Sequence, residues 1–124
     1  MRKDLKCRTG KYIAQGSHAS MAWMSALIKK HNDPDRELPD ARIQLTQAQS
    51  EWINGLFTKI VVQVASEAEL MQIHDAAVAA GLDVHLITDA GLTEFHGIPT
   101  RTCLAIGPDE AEKIDQITGK LSLL

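Results

Sequence analysis

The sequence has little cysteine and no long apolar run, and each shortage excludes a class of protein. Cys7 and Cys103 are the only cysteines among 124 residues. They are far apart and form no metal or redox motif, so we expect two free thiols in a reducing cytoplasm. The longest apolar runs are about five residues, whereas a helix that crosses a bilayer needs about 20. The basic start MRKDLKCRTGK is not followed by the apolar segment of a signal peptide. We therefore expect a cytoplasmic protein that does not bind membranes.

The sequence also lacks the common cofactor and nucleophile motifs. It has no G-x-G-x-x-G and no P-loop, so nothing supports a nucleotide cofactor. It has no G-x-S-x-G motif for a serine nucleophile. Without H-E-x-x-H or a close cysteine pair, we expect neither a metal nor another cofactor. His74 and His85 are interpreted as packing or surface residues.

The charge is unevenly distributed along a chain of ordinary globular composition. Apolar residues make up 44% and charged residues 23%, and the length fits one domain, residues 1–124. Residues 1–31 contain seven Lys or Arg and one Asp, a balance of +6. Residues 32–124 contain six Lys or Arg and fifteen Asp or Glu, a balance of -9. A basic block on an acidic protein indicates either a polyanion site or a solvated basic end.

The order of predicted elements is typical of an α/β domain. KIVVQV (59–64) suits a buried strand, and SEAE after it is a capping box that begins a helix ending at Gly81. DVHLIT (83–88) follows as a second strand, so we expect a parallel β-α-β unit. TCLAIG (102–107) is a third strand. We expect three layers, with helices on both faces of the sheet.

Helical patterns flank these strands on both sides. A long one covers residues 10–30 and a shorter one begins at TQAQSEWINGL (46–56), where Thr46 and Gln49 form a second capping box. HNDPDRELPD (31–40) is a turn-rich connector between them. DEAEKIDQI (109–117) predicts a last helix. MRKDL would contribute a short first strand.

Two clusters of polar residues are candidate functional sites. Lys11, Gln15 and His18 are spaced four and three residues apart, so they share one helix face near its N-terminus. That position suits an anionic ligand, although an ordinary polar stripe has the same spacing. Asp89 follows the second strand, and α/β proteins bind ligands where parallel strands end. Thr93, Thr100 and Thr102 offer hydroxyls to a ligand or cap turns.

The two clusters together resemble the type 2 peptidyl-tRNA hydrolase family. The resemblance rests on the signature D-L-x-x-x-x-G-K-x-x-A-Q-x-x-H-A (residues 4–19), on DAGLT (89–93) and on AIGP (105–108). It implies a mixed four-stranded sheet between helices, with a short first strand here. It also implies hydrolysis, without a metal, of the ester that joins a peptide to the 3′ end of tRNA.

The resemblance also assigns roles to residues of both clusters. It implies catalytic roles for Lys11, Asp89, Thr93 and Thr102. The residues expected to bind substrate are Gln15, His18, Thr100, Arg8, Lys6 and Lys3. We expect salt-dependent tRNA binding through the basic block: Arg2, Lys3, Lys6, Arg8 and Lys11.

Other functions stay open at this point. The chain could be a non-catalytic module that binds tRNA or another polyanion, or a divergent relative that acts on another small ester or amide. Asp89 favours the enzyme over a pure binder, because a carboxylate facing a polyanion would weaken binding. The sequence is compatible with a monomer and with a homodimer.

Overall fold

The computed structural model describes residues 1–37 and 40–124 as four helices and two strands. The last part of the predicted connector, residues 38–39, lies outside the described residues. The elements run in the order α1 (Thr9–His31), α2 (Gln47–Asn54), α3 (Glu67–Ala79), β1 (Val84–Asp89), β2 (Thr100–Ile106) and α4 (Ala111–Thr118). The α/β class is therefore confirmed.

Helix α1 forms because its apolar residues recur with a helical period. Gln15, Ala19 and Trp23 are buried at intervals of four residues, so they make one stripe along the helix. Basic residues fill the last turn, Lys29 and Lys30 among them, where they complement the negative end of the helix dipole. This stripe fixes which face of α1 points at the strands.

The predicted capping box is complete in α2 and is present only in part in α3. At the start of α2, Thr46 and Gln49 form a complete capping box. At the start of α3, the Ser66 hydroxyl accepts from the backbone N–H of Glu69 at 3.1 Å. The Glu69 carboxylate in turn accepts from the N–H of Ala65 at 2.7 Å. Both arrangements satisfy N–H groups that the first helical turn leaves unpaired.

The sheet differs from the expected four-stranded one. It has two strands, β1 and β2, which pair antiparallel. Residues 59–64, the predicted first strand of a β-α-β unit, contribute only isolated bridges, Arg2–Val64 and Val62–Leu123. A ladder needs consecutive pairs, and residues 59–64 pair only singly, once with Arg2 of the expected first strand and once with Leu123, while Ile60 stays 71% exposed. The expectation that Asp89 follows a parallel strand is therefore wrong.

The two strands lie between helices. Both α1 and α3 pack against β1 and β2, and α3 also contacts α4. Adjacent strands are only about 5 Å apart, which is too narrow for two helices of about 10 Å diameter side by side on one face. Since α1 and α3 scarcely touch each other, they cover opposite faces of the pair.

The core is small and lies along both faces of the strands. Its most buried large side chains are Leu70 and Cys103. Trp23 is 2% exposed and packs edge-to-face on Trp52, with ring centroids 6.1 Å apart, which attaches α2 to α1. Cys7 and Cys103 are both free thiols, as expected from the sequence.

Candidate active site

The side chains of Lys11 and Asp89 meet although they are 78 positions apart in the chain. Lys11 lies in the first turn of α1 and Asp89 is the last residue of β1. The ammonium Nζ is 2.6 Å from the carboxylate Oδ2, and the two side chains are 12% and 14% exposed. The fold thus brings the two candidate clusters of the sequence into one place. Because both groups are largely shielded from water, their attraction is stronger than that of a pair on the open surface.

Two further hydrogen bonds hold the Asp89 carboxylate. Gln15 Nε2 donates to Oδ2 at 2.8 Å and the backbone N–H of Gly91 donates to Oδ1 at 2.8 Å. The hydrogen bond from Lys11 lowers the pKa of Asp89 below its ordinary value. The other donors and the lysine charge lower it further, whereas partial burial raises it. Asp89 is therefore an ionised carboxylate with a fixed orientation at neutral pH.

A β-bulge places the Thr102 side chain against Gln15. Ile87 pairs with Cys103 and Thr88 pairs with Arg101, so Thr102 has no pairing partner on β1. A bulge of this kind redirects a side chain. The Thr102 hydroxyl donates to Gln15 Oε1 at 2.5 Å, and the neighbouring Cys103 thiol lies 3.5 Å from the Gln15 carbonyl oxygen. Thr102 is 2% exposed, so its hydroxyl binds Gln15 and does not face the opening of the site.

The loop between β1 and β2 folds back over Lys11. Thr93 accepts a hydrogen bond from Lys11 Nζ at 3.2 Å, and the ammonium lies 5.5 Å from the centre of the Phe95 ring. Gly91 makes the turn, with φ of 81°, and a Cβ there would collide with the backbone of Ile98. A side chain at position 91 would therefore displace the loop that contacts Lys11.

Glu94 is part of this arrangement, and the sequence analysis missed it. Its carboxylate accepts from the backbone N–H of Arg8 at 3.0 Å and from Arg8 Nε at 2.9 Å. The backbone hydrogen bond is the main cause that lowers the pKa of Glu94, with the Arg8 side chain adding to it. No motif marked Glu94, because a loop glutamate carries no local signal of a partner 86 positions away. The contact attaches the loop to the start of α1.

The other predicted residues lie around the site or apart from it. His18 is exposed on α1, in a groove that Gln15 and Asp89 also line. The Thr100 hydroxyl donates to the Ile98 carbonyl at 2.9 Å, so it stabilises the turn before β2. Lys3 and Lys6 are exposed near the N-terminus.

Arg2 does not fit the expected role as a phosphate contact. Its side chain is 11% exposed, and the guanidinium pairs with Asp4 at 2.6 Å and with Glu67 at 2.8 Å. These two carboxylates neutralise it in a partly buried position. The basic surface available to a polyanion is therefore smaller than the sequence predicts.

The site combines a carboxylate, an ammonium, an amide and a hydroxyl in one hydrogen-bonded group. In residues 1–37 and 40–124 no group of three or more His, Cys, Asp or Glu side chains is arranged to hold a metal ion. No helix in the same part of the chain is long and apolar enough to span a bilayer. The groups present can orient a water molecule and stabilise a developing negative charge.

Known proteins of one family are similar to this chain over its whole length. The family model described as peptidyl-tRNA hydrolase PTH2 matches residues 1–124. The peptidyl-tRNA hydrolase of Methanocaldococcus jannaschii is 40% identical over 124 residues, which cover all of this chain and 95% of the relative. Those of Methanothermobacter thermautotrophicus and Methanopyrus kandleri are 39% and 38% identical, with 95% and 93% of each relative covered.

Proposed function

This chain belongs to the peptidyl-tRNA hydrolase PTH2 family, and from that premise we propose that it hydrolyses the ester between a peptide and the 3′ end of tRNA at the Lys11–Asp89 pair. The 2.6 Å contact between these side chains carries the proposal. This contact joins the helix cluster of Lys11 to the cluster that begins at Asp89, which the sequence shows only as separate groups. Peptide and free tRNA are the products.

Asp89 orients the attacking water. Its carboxylate already accepts two hydrogen bonds at Oδ2 and one at Oδ1, and a carboxylate has about four acceptor positions, which leaves one on Oδ1 for water. Its lowered pKa makes it a weak base at neutral pH, so positioning is its main contribution. The water oxygen bonds to the ester carbon, the bond from that carbon to the ribose oxygen breaks, and the proton that the water gives up ends on the ribose oxygen.

Lys11 and Thr93 stabilise the charge on the ester carbonyl oxygen. The ammonium is a point charge with three donors, two of which bind Asp89 and Thr93, so a third is available to the oxyanion. A donor of this kind contributes about 100- to 1,000-fold to rate in acyl transfer. Gln15 and Thr102 hold Asp89 in position. Thr102 therefore has a positioning role instead of the expected catalytic one.

The tRNA binds through the exposed basic residues beside α1. Lys3, Lys6 and Arg8 are exposed and lie before or at the start of α1, and Arg8 contacts Glu94 of the loop that carries Thr93. Residues 1–124 act as one domain, and each side chain of the proposed site comes from this one chain. We place the protein in the cytoplasm, where translation produces its substrate.

Hydrolysis of purified peptidyl-tRNA by wild type and by Asp89→Asn tests the function. Asn keeps the size of Asp but removes its charge and so holds the water less well; turnover should fall about 100-fold, as for a misplaced reacting group, while tRNA affinity holds or rises because a charge near phosphates is gone. A wild type that binds tRNA without hydrolysis would indicate a binding module. A variant with wild-type turnover would remove Asp89 from the mechanism.

A further inference from the structure

A groove runs away from the site between α1 and β1. It has a volume of about 760 Å³, within the range of ligand sites. Gln15 and Asp89 line one end of it and Lys29 lines the other. The roles proposed above involve only the end of the groove at Gln15 and Asp89.

The groove follows the free edge of β1. Five consecutive residues, Leu86 to Ala90, line it. Successive strand residues point to opposite faces, so a groove that contacts all five must run along the strand's edge. The other edge of β1 pairs with β2. Across the two described ranges no strand or bridge occupies the groove side, which leaves backbone donors and acceptors there for a ligand.

The lining suits a peptide main chain better than a phosphate backbone. On the α1 side, the groove is lined by His18 and Met21 and, further along, by the small neutral residues Ala22, Ser25 and Ala26. Lys29 is the one lysine or arginine that lines it, whereas a tRNA backbone needs several positive charges along its path. Small side chains leave room for side chains of any size from an added strand.

We propose that this groove binds the peptide part of peptidyl-tRNA as an extended strand along the free edge of β1. The inference rests on the proposed function, which places the ester at Asp89. The tRNA leaves the ester toward Arg8, at the start of α1, and the peptide continues along the helix toward Lys29. Backbone pairing of this type gives affinity that does not depend on peptide sequence, which suits an enzyme whose substrates differ in sequence.

The length of the groove sets the number of peptide residues it holds. From Gln15 to Lys29 the helix rises about 21 Å at 1.5 Å per residue, which matches about six extended residues at 3.3–3.4 Å each. Ala26 lies about 16 Å from Gln15 by the same measure, beside the fifth residue. Substrates with one or two residues would leave this part of the groove empty.

Peptidyl-tRNAs with two and with six residues, sharing the same C-terminal residue, test the subsite. For wild type, kcat/KM should be about tenfold higher with six residues than with two, the equivalent of one or two net hydrogen bonds. Ala26→Trp fills the groove and should remove this gain while leaving the two-residue substrate within about twofold of wild type. Ala76→Trp is the matched control, an exposed alanine on α3 across the strands. It should behave as wild type.

Two further readouts separate strand pairing from other occupants. N-methylation of the hexapeptide, one amide at a time, should lower kcat/KM at alternate positions, because only every second residue faces β1. Inhibition by deacylated tRNA should be the same for Ala26→Trp and wild type. Equal kcat/KM for both lengths would overturn the subsite and leave the function intact. Weaker inhibition of Ala26→Trp by tRNA would assign the groove to tRNA instead. No hydrolysis of either substrate by wild type would overturn the proposed function itself.

Discussion

Replacing Thr102 with Val tests whether the bulge positions the catalytic carboxylate. Val has nearly the shape of Thr but no hydroxyl, so Gln15 Oε1 loses the donor that now lies 2.5 Å away. Gln15 is 3% exposed and Thr102 is 2% exposed, so water cannot readily replace that donor. A buried acceptor left without a partner costs about 1–3 kcal/mol. For a chain of this length that lowers the melting temperature by roughly 3–15 °C.

The effect on turnover should be separate from the effect on stability. Without Thr102, the Gln15 amide is free to rotate and its hydrogen bond to Asp89 weakens, so we expect kcat to fall about tenfold while KM changes little. Thr102→Ser keeps the hydroxyl and should restore kcat even if the lost methyl group lowers stability. The measurements are urea unfolding and steady-state kinetics on peptidyl-tRNA with both variants.

Either of two results would refute this reasoning. If Thr102→Val is destabilised as calculated but retains wild-type kcat below its unfolding transition, the hydroxyl is only structural. If Thr102→Ser loses kcat as much as Thr102→Val does, the methyl group and its packing matter instead of the hydrogen bond. In either case Gln15 does not transmit position from β2 to Asp89.

The remaining predictions concern charge. Lys11 lowers the pKa of Asp89 from its ordinary 3.8, so the pair's contribution to stability should be fully present above about pH 4 and be lost as pH falls through the lowered pKa of the folded state. Acid unfolding of wild type and of Asp89→Asn checks this. A parallel loss of stability in both proteins would contradict it. With Lys3, Lys6 and Arg8 as contacts, log K for tRNA should fall with log salt at a slope of roughly -2 to -3. Lys3→Gln combined with Lys6→Gln should make the slope shallower by about 1 to 2, whereas Arg2→Gln should leave it unchanged and lower stability instead, since Arg2 pairs with Asp4 and Glu67.

Local patterns in the sequence were sufficient for the helices and for the residue types of the site. Capping boxes act within four residues, so Thr46 and Ser66 marked the starts of α2 and α3 correctly. The helical period of α1 likewise placed Lys11 and Gln15 on one face. These predictions succeeded because each depends on interactions between near neighbours in the chain.

Strand pairing and the joining of the two clusters depended on the tertiary structure. An apolar run such as residues 59–64 indicates burial but not a partner, and here it makes isolated bridges instead of a ladder. The bulge that turns Thr102 toward Gln15 arises from the register of β1 against β2, which no local pattern encodes. Glu94 binds Arg8 and Arg2 binds Glu67, and in each case the partner is distant in sequence. Short-range propensity thus determined the helices, and long-range packing determined the strand pairing and which polar groups meet.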